Sequence, residues 1–161
     1  MPTRPPGRKL TACLELIGKA GLTGDLNPDE ALALARLAEE RRYPRRGVIL
    51  RETARTRDLY VIRSGTVSVR MTLPASSSSE AIYTLRDGQA FGELSLVDGA
   101  PRSATIQAED AVTVYRFDFD RLSEFLDAHP RIGYILMRNL AGIIASRVRS
   151  TNLMWRNTMM W

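Results

Sequence analysis

From residue 47 onward the chain alternates short apolar runs with polar punctuation, a period that fits strands better than helices. The runs fall at residues 48–51, 59–63, 66–71, 81–85, 104–108 and 112–117, and Gly, Asp or Ser separates most of them. This spacing predicts a mainly β domain, an antiparallel β-roll of jelly-roll type, with flanking helices. Residues 10–20 are expected to form a short helix ended by Gly21. Asn27, Pro28, Asp29 and Glu30 read as a helix start, with Asn27 as N-cap and Pro28 at the first helical position. Ala31, Leu34, Leu37 and Ala38 keep helical spacing, so this helix is expected to end just before Tyr43 and Pro44. Asp118 or Asp120 is placed to cap a helix reaching Ala128, and Pro130 to open the last one.

The last helix carries Ile132, Ile135, Leu136, Leu140, Ile143, Ile144 and Val148 along a broad apolar stripe. One face of that stripe is expected to pack on the roll and the other to meet a partner helix. In a dimer, Leu136, Leu140, Ile143 and Trp155 are the residues expected in the seam. Met154, Trp155, Met159, Met160 and Trp161 are too apolar for a free tail. Three readings stay open for them: packing on their own domain, a dimer seam, or a lid over a bound group. The chain thus divides into a basic, flexible N-terminal segment with a short helix (1–25), the roll (26–129), and a C-terminal helix with its apolar tail (130–161). Residues 74–79 are expected to form a flexible hairpin tip.

A chain of 161 residues is long enough to bury roughly 70% of its unfolded surface in one domain. No apolar run approaches the ~20 residues that span a bilayer, since Arg138 and Asn139 interrupt the best candidate, residues 132–145. The N-terminal Pro2, Arg4, Pro5, Pro6, Arg8 and Lys9 are not followed by a signal-type apolar core, and a cytoplasmic location is expected. Cys13 is the only cysteine, which excludes an intrachain disulfide and leaves a reduced, packed thiol. The net charge of +5 raises nucleic acid or a membrane surface as partners. The arginines are scattered, however, and a solvated basic surface is the simpler reading.

The chemistry concentrates in residues 91–106. Glu93 offers two acceptor oxygens, and Arg102 a planar fork of five donors matched to a phosphate. Gly92 lets backbone approach a bound group with no Cβ in the way. A ligand with hydroxyls beside a singly charged phosphate satisfies both side chains, and a cyclic nucleotide is such a ligand. Its ribose 2'-OH suits the carboxylate and its phosphodiester the arginine. Catalysis has little support. His129 is the only histidine, His-Pro at a helix start reads as a turn, and no Cys/His/carboxylate cluster is spaced for a transition metal. Nothing nearby would activate water, so the site is expected to bind and not to cleave.

The run Phe91-Gly92-Glu93-Leu94-Ser95-Leu96, followed by Pro101-Arg102-Ser103-Ala104-Thr105, closely resembles the phosphate-binding cassette of cyclic nucleotide-binding domains. It departs mainly at Ser95, where alanine is common. Residues 47–52 resemble the first strand of that roll, residues 59–67 its next hairpin, Asp87-Gly88-Gln89 the turn before the cassette, and residues 127–130 the entry to the last helix. The resemblance covers about residues 26–150. It implies that Gly92, Glu93, Leu94, Ser95, Arg102, Ser103 and Ala104 bind the ligand. The N–H groups of Ser95 and Ser103 would complete the anion site, helped by a short helical turn starting near Gly92, and the Ser103 hydroxyl would add a bond. Leu94, Leu96 and Ile106 are expected in the core, with Leu94 and Leu96 against the start of the last helix. Val69, Ile82 and Leu85 are candidates to line the sugar and base pocket.

Base recognition is less sharply defined. In the catabolite activator small polar residues far along the last helix contact adenine, and Thr151 and Asn152 fall at about that point; solvent-facing positions are the alternative. A threonine after the cassette arginine would favour cGMP, so Ser103 inclines the reading to cAMP, with cGMP possible. The resemblance implies a sensor or regulatory module that turns binding into movement of its C-terminal helix, as a homodimer acting on an unknown effector. After Pro130 only about 31 residues remain, too few for a helix-turn-helix, so no sequence-specific DNA binding is expected of the chain itself. The alternatives are a nucleotide-independent dimerisation or interaction module with a vestigial pocket, and a basic adaptor for nucleic acid.

Overall fold

The computed structural model describes residues 7–74 and 77–158. The first six residues, Ala75 and Ser76 of the hairpin tip, and Met159, Met160 and Trp161 of the tail lie outside the described residues. The chain order is α1 (Arg8–Lys19), α2 (Pro28–Ala35), β1 (Glu39–Tyr43), β2 (Val48–Leu50), β3 (Leu59–Ser64) and β4 (Val67–Thr72). Next come β5 (Ser79–Leu85), β6 (Ala90–Phe91), α3 (Glu93–Asp98), β7 (Thr105–Ala108), β8 (Val112–Phe117), α4 (Phe119–Ala128) and α5 (Pro130–Thr158). The strands form two four-stranded antiparallel sheets, ordered β1-β8-β3-β6 and β2-β7-β4-β5, so the expected roll with flanking helices is what the chain adopts.

Alternation along the strands sorts the core into two layers. Tyr60 and Ile62 of β3, with Val112 and Val114 of β8, point between the sheets onto Val67, Val69, Leu85 and Ile106. Leu59 and Val61 of β3, with Tyr115 and Phe117 of β8, point to the other side. There they meet Cys13, Ile17, Leu34, Leu122, Leu136 and Leu140 from the helices. The first sheet is therefore covered on both faces, which explains the unbroken apolar run at the start of β3.

The helix starts follow their caps. Asn27 accepts from the Glu30 N–H at 2.9 Å while the Glu30 carboxylate accepts from the Asn27 N–H at 2.9 Å, a reciprocal capping box. Asp118 accepts from the Arg121 N–H at the start of α4. The second helix is shorter than expected. It stops at Ala35, and residues 39–43 are a strand paired with β8. Charge hides this strand, because Glu39, Glu40, Arg41 and Arg42 show no apolar alternation. Pairing replaces it: Glu40 accepts from Arg63 and Arg42, and Glu39 from Arg41, Arg116 and Arg121. Much of the basic charge is thus consumed in ion pairs on the first sheet and around α4.

α5 buries Ile132, Ile135, Leu136 and Leu140 in its first half. Leu136 and Leu140 are 1% and 0% exposed within one copy of the chain, so they are not available to a dimer seam. The second half leaves Val148, Leu153, Met154 and Trp155 more than half exposed. Met154 and Trp155 are thus largely uncovered by their own roll, although Met154 borders a cavity beside β5. Among the described residues no helix is long and apolar enough to cross a membrane.

Candidate functional site

Two buried charges of opposite sign, Glu93 and Arg102, face one cleft beside the second sheet. The backbone leading to them is set by β6. Phe91 pairs with Tyr60 of β3, and the two rings stack with centroids 5.0 Å apart and planes 1° from parallel. Gly92 then turns the chain with φ +82°, and a Cβ there would come 2.7 Å from the Asp58 carbonyl oxygen and 2.8 Å from Arg102 Nη1. Only glycine admits that close packing of the guanidinium on backbone. α3 follows directly, so the N–H groups of Glu93, Leu94 and Ser95 belong to its first turn, where no intrahelical acceptor exists.

Arg102 is held from three sides. Its Nε donates to Thr56 Oγ1 at 3.0 Å, Nη1 to the Gly92 carbonyl at 2.9 Å and Nη2 to the Asp58 carbonyl at 2.8 Å. Its backbone is fixed as well, since Arg102 N donates to the Ala54 carbonyl and Thr53 N to the Arg102 carbonyl, each at 2.8 Å. Three of five donors are engaged, which leaves one N–H on each terminal nitrogen for an anion. Burial pulls the guanidinium below the ordinary arginine range, while Tyr60, Asp58 and Glu93 act in the opposite sense. A buried cation whose neighbours only partly offset its desolvation is poised to take a negative partner.

Glu93 is engaged from α5. Arg147 donates to its Oε1 and also to the Ala90 carbonyl, so one helix residue sits on the acceptor assigned to a ribose hydroxyl. The space between the lining side chains is about 50 Å³. Small-molecule pockets start at about 300 Å³, and the Arg147 side chain is among those that narrow this one. A second cavity of about 480 Å³ adjoins it, sharing Tyr83, Leu85 and Arg147.

The structure brings most of the predicted residues together. Gly92, Glu93, Leu94, Ser95, Arg102, Ser103, Ala104, Val69 and Leu85 all line the cleft. Leu96 and Ile106 are core as expected, each 5% exposed, and Leu96 borders Pro130 and Gly133 at the start of α5. Leu94 is not core: it is 40% exposed, because the neighbouring positions of a one-and-a-half-turn helix cannot all face inward. Ile82 is on the outer face of β5, 44% exposed and away from the cleft. Thr151 borders the adjoining cavity, where its hydroxyl donates to the Arg147 carbonyl at 3.0 Å. Asn152 is exposed and lines neither cavity. His129 lies at the α4–α5 junction, its ring over Phe125 with centroids 4.4 Å apart, and does not line the cleft. Among the described residues no group of three or more His, Cys, Asp or Glu is placed to hold a metal ion.

Sequence reasoning missed Arg147, Thr56 and Asp58. A signal existed for Arg147. Leu136, Leu140 and Ile143 lie on one helix face, and residue 147 continues that face one turn on. A charge on an apolar stripe points to a buried partner.

This constellation, a glycine-opened short helix and a buried arginine on a two-sheet roll, falls within a defined class. The chain belongs to the cyclic nucleotide-binding domain family, whose sequence model matches residues 40–129, from β1 to the end of α4. Its structure is similar to that of a cyclic nucleotide-binding domain from Methylobacillus flagellatus. Sequence identity is 27%, the TM-score 0.78, and the match covers 88% of this chain and 79% of that one. A CRP-like cAMP-activated global transcriptional regulator of Mycobacterium tuberculosis is 27% identical over 138 residues, 86% of this chain and 59% of the regulator. Glutaminase 2 of Bradyrhizobium diazoefficiens is 29% identical over 136 residues, 84% of this chain and 21% of the enzyme. The chain therefore spans only about a fifth to three-fifths of these curated relatives.

Proposed function

We propose that this chain is a regulatory module that binds a cyclic nucleotide, cAMP in preference to cGMP, and converts binding into displacement of α5. One observation carries the reading: Glu93 and Arg102 are buried in the same cleft, and the side chain that closes it, Arg147, belongs to α5. The cyclic phosphate takes the two unspent N–H groups of Arg102 and the first-turn amides of α3. The ribose 2'-OH takes Glu93 in place of Arg147. Entry of the ligand then breaks the contact that holds this part of the helix on the roll, so differential affinity becomes a shift of surface. Both charges are kept buried in one cleft, with two Arg102 N–H groups unspent, and this supports a working pocket over a vestigial one.

The preference for cAMP rests on Ser103 after the cassette arginine, and the base is assigned to the adjoining cavity at Tyr83 and Thr151. A homodimer through the exposed second half of α5 is part of the proposal, as is an output carried by another protein or segment. The relatives that match this chain include proteins as unlike as a glutaminase and a transcriptional regulator, so the similarity does not fix the output. Calorimetric titration with cAMP, cGMP, AMP and 2'-deoxy-cAMP tests the reading. The expected result is micromolar or tighter binding of cAMP, weaker cGMP, and clear losses for the other two. AMP matching cAMP would reduce the cleft to an anion site, and no binding of either cyclic nucleotide would overturn the proposal.

A further inference from the structure

Arg57 lies half-buried in the loop before β3, outside the cleft. Its Nε donates to the Ser95 carbonyl at 3.1 Å and its Nη2 to the Leu96 carbonyl at 3.0 Å. These carbonyls lie towards the C-terminal end of α3, where a cation meets the negative end of the helix; the Ser95 carbonyl also accepts from the Gly99 N–H at 3.0 Å. The same guanidinium carbon sits 3.9 Å from the centroid of the Phe119 ring, the first residue of α4. One side chain thus grips the cassette helix and the entry to the C-terminal helices together.

The adjacent residue repeats the link with different atoms. The Asp58 carbonyl accepts from Arg102 Nη2 at 2.8 Å, and the Asp58 carboxylate accepts from the Phe119 N–H at 2.8 Å. The anion-facing arginine and the far end of α3 are therefore both tied to the first residue of α4. A helix of six residues cannot hold its own geometry in isolation, so the groups at its ends fix where it lies.

We infer that Arg57 is a positioning residue that couples the ligand cassette to α4 and α5. The inference rests on the cyclic-nucleotide reading and adds to it a residue that does not touch the ligand. When the ligand draws α3 and Arg102 inward, the grip of Arg57 carries that shift to Phe119 and on into α4. Lysine does not replace it, because a point donor on a flexible stem cannot fork two carbonyls while covering a ring.

The test combines calorimetric titration of cAMP with hydrogen exchange of peptides from α3 and from α4–α5, free and at saturating cAMP, on the full chain. In the wild type, cAMP changes exchange in both regions. Arg57→Ala is expected to bind cAMP roughly ten-fold more weakly. At saturation it should keep the change in α3 and lose the change in α4–α5. Arg57→Lys should recover part of the affinity and not the α4–α5 response; because it keeps the charge, it carries the test if the alanine variant does not fold. A wild-type α4–α5 response in the variant that folds overturns the role of Arg57 alone. A wild-type chain that binds neither cAMP nor cGMP overturns the ligand reading and the coupling with it.

Discussion

Arg147 of α5 donates to the carboxylate of Glu93 in α3, and the Glu93 side chain is only 4% exposed. The pair joins the longest helix to the centre of the proposed ligand site. It also sets a competition, since the carboxylate serves either the helix or a sugar hydroxyl.

Removing Arg147 should therefore act in opposite senses on stability and affinity. Breaking a buried pair by deleting one partner costs about 3–5 kcal/mol. The Arg147 side chain is 29% exposed, so roughly 1–3 kcal/mol is expected here after allowance for solvent screening. Arg147→Ala should lower the melting temperature of the free chain. It should also tighten cAMP binding by roughly three- to ten-fold, because the ligand no longer displaces a partner. Thermal unfolding and calorimetry on the same sample check both. Weaker cAMP binding would show that Arg147 contacts the ligand instead of competing with it.

Arg102→Ala should abolish tight binding and also weaken the fold. Loss of a charge-assisted bond to a buried anion costs about 2–5 kcal/mol, or roughly 30- to 1,000-fold and more in affinity. The variant also strips a donor from Thr56 and from the Gly92 and Asp58 carbonyls, so a lower melting temperature is expected with it. Thr56→Val separates the two effects. It deletes one support of the guanidinium while leaving the anion-facing N–H groups in place, and should cost ten-fold or less in affinity. Unchanged cAMP binding by Arg102→Ala would remove arginine from the site.

How far the sequence led can be read from single residues. The roll, the N-cap at Asn27 and the cassette from Gly92 to Ala104 were legible because each rests on local rules: period two, a capping residue before a proline, a short motif. β1 was not, because its side chains are satisfied by charges on β3, β8 and α4 that are distant in sequence. β6 is two residues long and has no period to detect. The partner of Glu93 was equally hidden, as 54 residues separate it from Arg147. Leu136 and Leu140 read as a seam because a stripe shows that a face is covered and not by what. The wrong placements of Leu94 and Ile82 share one origin: alternation cannot say which face of a short element turns inward.

Cys13 makes the alkaline limb of stability a further check. The thiol is 2% exposed and burial pushes its pKa from an ordinary 9.0 up to about 12. The folded chain thus keeps a proton that the unfolded chain releases. The corresponding stabilisation is present below about pH 9 and is lost as pH rises towards about 12. Tyr60, also raised to about 12 by burial, adds to the same limb. Cys13→Ala should show a smaller fall in denaturant midpoint between pH 8 and about pH 10.5 than the wild type. The native thiol should resist a thiol reagent at pH 8 and react fully in denaturant. Rapid labelling of the native chain would contradict the burial of Cys13.

Truncation after Ser150 separates the roles of the two halves of α5. Ile132, Ile135, Leu136 and Leu140 carry its packing on the roll, and Arg147 its link to Glu93; all five precede the cut. The truncated chain should therefore unfold within a few degrees of the full one, since every buried contact of the helix is kept. What it loses is Thr151 at the adjoining cavity and the exposed Leu153, Met154 and Trp155. Each large apolar side chain taken out of water contributes about 1.5–3 kcal/mol, so a seam formed by these residues should collapse without them. Sedimentation velocity should show a dimer for the full chain and a monomer for the truncated one. Titration should show weaker cAMP binding if Thr151 and its neighbours cover the base. Dimerisation and affinity both equal to those of the full chain would mean that residues 151–161 form neither the seam nor the cover, and the exposed apolar end of α5 would need another occupant.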